Sequence, residues 1–140
     1  MIPSNTLLLK ILLCIIGLLS LTACNLSNNI KVSPVATADI PKVEILAPAN
    51  NALVYENTDF PIDIIARDQS SGITKVEMYV DGELVNEASP DGKISVPVFR
   101  VEMNWLARGL GKHVLSFISY RLDGTRSDES LINIDVVTRP

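Results

Sequence analysis

Residues able to move protons, hold metals or attack carbonyls are scarce in this 140-residue chain. There is one histidine, His113, so any Ser-His-Asp constellation would depend wholly on it. It sits in Gly111-Lys112-His113-Val114-Leu115, at the start of a strand-like run, where a structural role beside the loop is expected. The expected catalytic set is therefore none, and an enzyme would have to be a hydrolase built on His113. One histidine and two cysteines, Cys14 and Cys24, do not make a zinc site. Carboxylates are more numerous: Asp59, Asp68, Asp81, Asp123, Asp128 and Glu129 fall in expected loops or strand ends. No Asp-x-Asp-x-Asp-Gly loop collects them, and Asp beside Gly is the composition of turns that tolerate left-handed backbone. Paired carboxylates for glycoside hydrolysis would need a cleft, which a small body of strands rarely builds. No metal and no cofactor is expected.

Cysteine context says more than cysteine count. Ile11 to Ala23 carries no charge, and Lys10 with the N-terminus supplies a positive flank. A membrane-spanning helix needs about 20 apolar residues. This run is shorter, and it leads into polar Asn25, Ser27, Asn28 and Asn29 without a basic stop-transfer cluster. A cleaved signal peptide over residues 1–23 is expected. The closing tetrapeptide Leu21-Thr22-Ala23-Cys24 resembles a bacterial lipobox. That resemblance implies cleavage between Ala23 and Cys24 and acylation of Cys24. The expected address is then the extracytoplasmic side of a cell membrane or outer envelope, with the membrane as a partner through the acyl chains. Each buried methylene contributes about 0.8 kcal/mol, so two or three chains anchor stably where one is marginal. Cys14 would leave with the signal, and no disulfide could form within the mature chain.

Residues 24–41 are polar and small, contain Pro34 and Pro41, and read as a flexible tether after the lipidated end. As a coil it would span roughly 20–25 Å on average. Removing residues 1–23 takes away Lys10 alone, making the mature chain one unit more negative than the −4 of the whole. Such an acidic body is unsuited to nucleic acid, because phosphate neutralisation needs clustered Lys and Arg.

From residue 42 to 138 the chain alternates in short runs broken by turn residues about every ten positions, the pattern of an all-β sandwich. Seven main strands are expected: 42–47, 62–67, 75–80, 83–87, 96–105, 113–120 and 131–137. Asp81-Gly82 between the third and fourth is a hairpin signal, since both turn positions need positive φ. Pro90-Asp91-Gly92 marks another turn, and residues 106–110 have room for one helical turn at most. Alternation places Met78, Trp105, Leu115 and Phe117 in the core.

Several of these segments together resemble bacterial immunoglobulin-like domains. They are Pro41-Lys42-Val43-Glu44-Ile45, Val76-Glu77-Met78-Tyr79-Val80-Asp81-Gly82, Trp105 followed by Gly111-Lys112-His113-Val114-Leu115, and Tyr120 with Asp123-Gly124. The resemblance implies an immunoglobulin-like two-sheet sandwich whose third, sixth and seventh main strands share a sheet. It also implies alanine where this chain has Ser119, whose hydroxyl would want a backbone partner. Outward residues of the shared sheet would be Tyr79, Val114, Ile118, Tyr120, Leu131, Asn133 and Val137. Tyr79, Ile118 and Tyr120 form the expected contact patch for a protein partner. Taken together, these features point to a lipid-anchored, non-enzymatic module for protein binding, adhesion or scaffolding at the bacterial cell surface. The alternative is an accessory carbohydrate-recognising module of a secreted or surface enzyme system, which would need an exposed aromatic platform.

Overall fold

A computed structural model describes residues 39–140, so the expected signal peptide, the Ala23–Cys24 junction and most of the expected tether lie outside the described residues. Eight strands form: β1 (Lys42–Ala47), β2 (Ala52–Tyr55), β3 (Asp59–Arg67), β4 (Lys75–Val80), β5 (Glu83–Ala88), β6 (Val98–Leu106), β7 (Gly111–Tyr120) and β8 (Ser130–Val137). They make two sheets, one of three strands in the order β1-β3-β6 and one of five in the order β2-β8-β7-β4-β5. The expected sharing of one sheet by β4, β7 and β8 is observed. All pairings are antiparallel except β2 with β8.

Seven of the eight strands match the expected runs, and β2 is the addition. Its four residues show no clear alternation, and it pairs in parallel with β8, some eighty positions later in the sequence. The strand expected over 96–105 begins only at Val98, because Pro97 has no N–H to donate and Val96 makes an isolated bridge to Ile73. No helical turn forms over 106–110; the one short helix among the described residues is a 3-10 turn at Asp91–Lys93, within the expected Pro90-Asp91-Gly92 turn region. Asp81 and Gly82 have φ of 52° and 85°, as the hairpin between β4 and β5 requires.

The two sheets bury their facing residues against each other. From the three-stranded sheet come Ile62, Ile64, Ala66, Met103 and Trp105, and from the five-stranded sheet Val76, Met78, Leu115, Phe117, Ile132 and Ile134. Burying a side chain such as Met78, Leu115 or Phe117 stabilises by about 1.5–3 kcal/mol. Pro41, placed by sequence at the end of the tether, is also fully buried. The outer face of the three-stranded sheet is a charged ladder, with Arg67 paired to Glu44 at 2.9 Å and Arg100 forked onto Asp63. Exposed pairs of this kind contribute little to stability but favour one register.

Candidate binding surface

The outer face of the five-stranded sheet gathers the sequence-predicted patch. In the β4–β7 register Tyr79 lies opposite Ser116, Ile118 opposite Glu77, and Tyr120 opposite Lys75. The three predicted residues are therefore neighbours, but not as an exposed apolar patch. Ile118 is only 8% exposed, a correction to the sequence reading. Glu77 stands directly across from it, and Tyr79 and Tyr120 are its neighbours on the face; a period-two pattern assigns a face but not the size of what stands beside it.

At the centre is Glu77, a carboxylate buried on the outer side of a sheet. Lys75 Nζ donates to its Oε1 at 2.5 Å, and the Tyr79 hydroxyl donates to its Oε2 at 2.6 Å. Tyr120 joins the group through its ring, whose centre lies 4.8 Å from the Lys75 ammonium. Burial opposes the charge on Glu77, yet Lys75, Tyr120 and Tyr79 together outweigh it and hold the carboxyl at about 2. The same hydrogen bond, aided by burial, pushes the Tyr79 phenol well above its ordinary value. Lys75, Glu77 and Tyr79 were readable as one face from their spacing. That Tyr120 closes the group depends on a pairing some forty residues away, which no local pattern encodes.

Exposed apolar side chains adjoin this cluster. A single row crosses four strands: Leu131 on β8, Ser116 on β7, Tyr79 on β4 and Leu84 on β5. Leu131 is 56% exposed and Leu84 is 52% exposed, and Val114 lies nearby. Leu131, Leu84 and Val114, rather than Ile118, supply exposed apolar surface on this face.

Both ends of the sheet are clamped by charge. At one end His113 uses both ring nitrogens, Nδ1 to Asp81 Oδ2 at 2.6 Å and Nε2 to the Gly109 carbonyl at 2.8 Å. Both partners only accept, so this arrangement favours the doubly protonated imidazolium. Burial works against that charge, but Asp81 and the Gly109 carbonyl outweigh it and raise the His113 pKa. Asp81 also accepts from the Val114 N–H, and the His113 ring tilts against Trp105 at 5.5 Å. A ring held this way has no lone pair for a general base.

At the other end Arg121 forks onto Asp68, Nε to Oδ2 at 2.5 Å and Nη2 to Oδ1 at 3.1 Å. Its Nη2 also reaches Ser70 Oγ and Asp39 Oδ1. The pair is buried and joins the end of β3 to the end of β7, linking the two sheets. Arg121 and Ser70 hold the Asp68 carboxyl far below the usual range despite its burial. Sequence gave Asp68 only a turn role; the arginine that completes it lies 53 positions on.

Two of the remaining loop carboxylates have hydrogen-bond partners of their own. Asp123 accepts from the Thr125 N–H and Asp59 from the Asn104 amide. Among the described residues no three His, Cys, Asp or Glu side chains converge as a metal site. Ser119 is fully buried, and its hydroxyl has not found the expected partner. Its backbone is instead paired with Ser127 through both N–H and C=O.

Residues 41–97 match the family model described as Bacterial Ig domain. The folded body carries a bacterial immunoglobulin-like domain. Among solved structures, this Ig-like domain is similar to the fibronectin(III)-like modules of Clostridium thermocellum CbhA, with 28% identity and a TM-score of 0.60 over 71% of this chain and 100% of that one. It is similar in fold to the CARDB domain of a Pyrococcus furiosus protein (16% identity, TM-score 0.52, 74% of this chain and 99% of that one). It is also similar in fold to the SrpA adhesin of Streptococcus sanguinis (15% identity, TM-score 0.52, 71% of this chain and 58% of that one). No curated protein sequence matches the chain. Among the described residues no helix is long and apolar enough to cross a membrane.

Proposed function

We propose that this chain is a lipid-anchored extracytoplasmic module that binds a protein partner through the outer face of its five-stranded sheet. The observation that carries this reading is the junction of Leu21-Thr22-Ala23-Cys24 with an Ig-like domain after a short polar segment. Acyl chains on Cys24 fix one end of the chain to a membrane, and the segment after it sets the reach. The domain then presents a sheet face in which the charged cluster around Glu77 is rigid, because every member is held by another. Apolar Leu131 and Leu84 flank it as contact points. The role is recognition rather than catalysis, since the sole histidine is locked between two acceptors.

Photo-crosslinking groups placed at Leu131 and Leu84, with Glu44 on the opposite sheet as a control, test the face in intact cells. Crosslinks to one protein from Leu131 and Leu84 but not from Glu44 are expected. Crosslinks from all three positions alike, or from Glu44 alone, would overturn the assignment. Binding of soluble glycans by the purified chain, without a protein partner, would replace it with the carbohydrate-recognising role.

A further inference from the structure

Sheet edges carry unused hydrogen-bonding groups, and folded proteins blunt them with short strands, bulges, proline or covering chain. Three of the four edges here are blunted. β2 has only four residues, β1 shifts register between Ile45 and Ala47, and β5 is bulged opposite Met78 and Tyr79. β6 is not. It runs nine residues in unbroken register with β3, and among the described residues no strand pairs with it on its other side, although β5 approaches its second half with the Asn86 amide on the Asn104 carbonyl. An open groove of about 530 Å³ runs between its first half and the loop residues Pro90 and Ile94.

Hydrogen bonds at the ends of β6 show which backbone groups are free. The Pro97 carbonyl accepts from the Asp68 N–H, and Ala107 bonds to Asn57 and Thr58. Odd-numbered residues therefore point at β3, and by alternation even-numbered ones point away. Asn104 agrees: it lies opposite Pro61, which has no N–H, and its carbonyl accepts from Asn86 on the far side. Val98, Arg100 and Glu102 thus turn N–H and C=O to the open edge.

The side chains there are charged and unevenly matched. Arg100 grips Asp63. Glu102 stands directly opposite Asp63, carboxylate against carboxylate, and has no salt-bridge partner among the described residues. Like charges in directly opposed positions destabilise a sheet.

We propose that the open edge of β6 pairs with β6 of a second copy, antiparallel, about a twofold axis through Val101. In that register Arg100 of each copy lies opposite Glu102 of the other, and each such pair exchanges two backbone hydrogen bonds. Phe99 meets Met103 on the inner side. Moving the axis by one residue sets Arg100 against Arg100 or Glu102 against Glu102, so charge selects the Val101 register. The two three-stranded sheets become one continuous sheet, and Glu102 acquires the cation its own chain does not provide. This edge lies on a different sheet from the partner face proposed above, and it stands or falls independently of that face.

Sedimentation equilibrium of the full-length chain in detergent, over a range of protein concentrations, tests this. The wild type is expected to approach the mass of two chains as concentration rises. Glu102→Arg is expected to stay at one chain, because the introduced arginine would face Arg100 of the second copy. It should melt no lower than wild type, since that arginine gains Asp63 within its own chain. Mixing Glu102→Arg with Arg100→Glu should restore the two-chain species, an all-basic edge meeting an all-acidic one. If Arg100→Glu does not fold, Val101→Cys reads the same axis through a crosslink between the introduced cysteines, located by peptide mass spectrometry. A wild type of one-chain mass at every concentration, or a dimer indifferent to Glu102→Arg, would overturn the proposal. A one-chain protein that takes up an added extended peptide along β6 would overturn it too, assigning the edge to peptide capture.

Discussion

Ser119→Ala should stabilise the domain, although it removes a polar group from a well-packed position. Ser119 is fully buried on β7, opposite Val76, and its hydroxyl has no hydrogen-bond partner among the described residues. A buried polar group left unpaired costs about 1–3 kcal/mol. Deleting one oxygen opens a void of roughly 10 Å³, worth about 0.2–0.3 kcal/mol at the measured cavity coefficient. The difference favours alanine by about 1 kcal/mol, which for a domain of this size raises Tm by about 4–8 °C. Ser127→Ala should act in the opposite sense. The Ser127 hydroxyl accepts the Ser119 N–H at 3.0 Å, and its loss leaves that buried donor unpaired, at about 1–3 kcal/mol. Calorimetry and urea unfolding read both, with the midpoint shifting at unchanged slope. A Ser119→Ala variant that melts below wild type would refute the reasoning, since it would mean that the hydroxyl is bonded after all.

Three further outcomes follow from the charged groups. His113 has a raised folded pKa, so its contribution to stability is complete below its unfolded value near 6.5 and is lost as pH rises through the folded value. The Tm difference between wild type and His113→Gln should therefore shrink from pH 6 towards pH 9, and a constant difference would contradict the clamp. Asp68 has a depressed folded pKa, so its contribution is present above about pH 4 and is lost as pH falls. Asp68→Asn should lower Tm at neutral pH and flatten its acid dependence in thermal melts, and an unchanged acid limb would count against the buried pair. Glu77→Gln removes the anion that holds the Tyr79 proton, so ultraviolet titration should show one phenol ionising at lower pH than in wild type; an unmoved titration would contradict the cluster.

Much of the sandwich was legible because alternation and turn residues are local signals. Val76, Met78 and Val80 against Lys75, Glu77 and Tyr79 assign both faces of β4, and Asp81-Gly82 fixes the turn that follows. β2 escaped because a four-residue strand with a parallel, distant partner has almost no local signature. The surface was less legible than the core. Spacing put Ile118 on the correct face, but its burial depends on Glu77 from β4 across the ladder. The two charged clamps were hidden for the same reason. Asp81 and His113 are 32 positions apart, and Asp68 and Arg121 are 53 apart, so no local pattern encodes either pairing. Sequence shows which residues are polar at a turn; only the completed sheets show which of them meet.

Mass spectrometry of the N-terminal peptide from protein purified out of native membranes tests the central claim most directly. The account predicts a peptide beginning at Cys24 and carrying two or three acyl chains. An unmodified Cys24 still joined to Ala23 would contradict it.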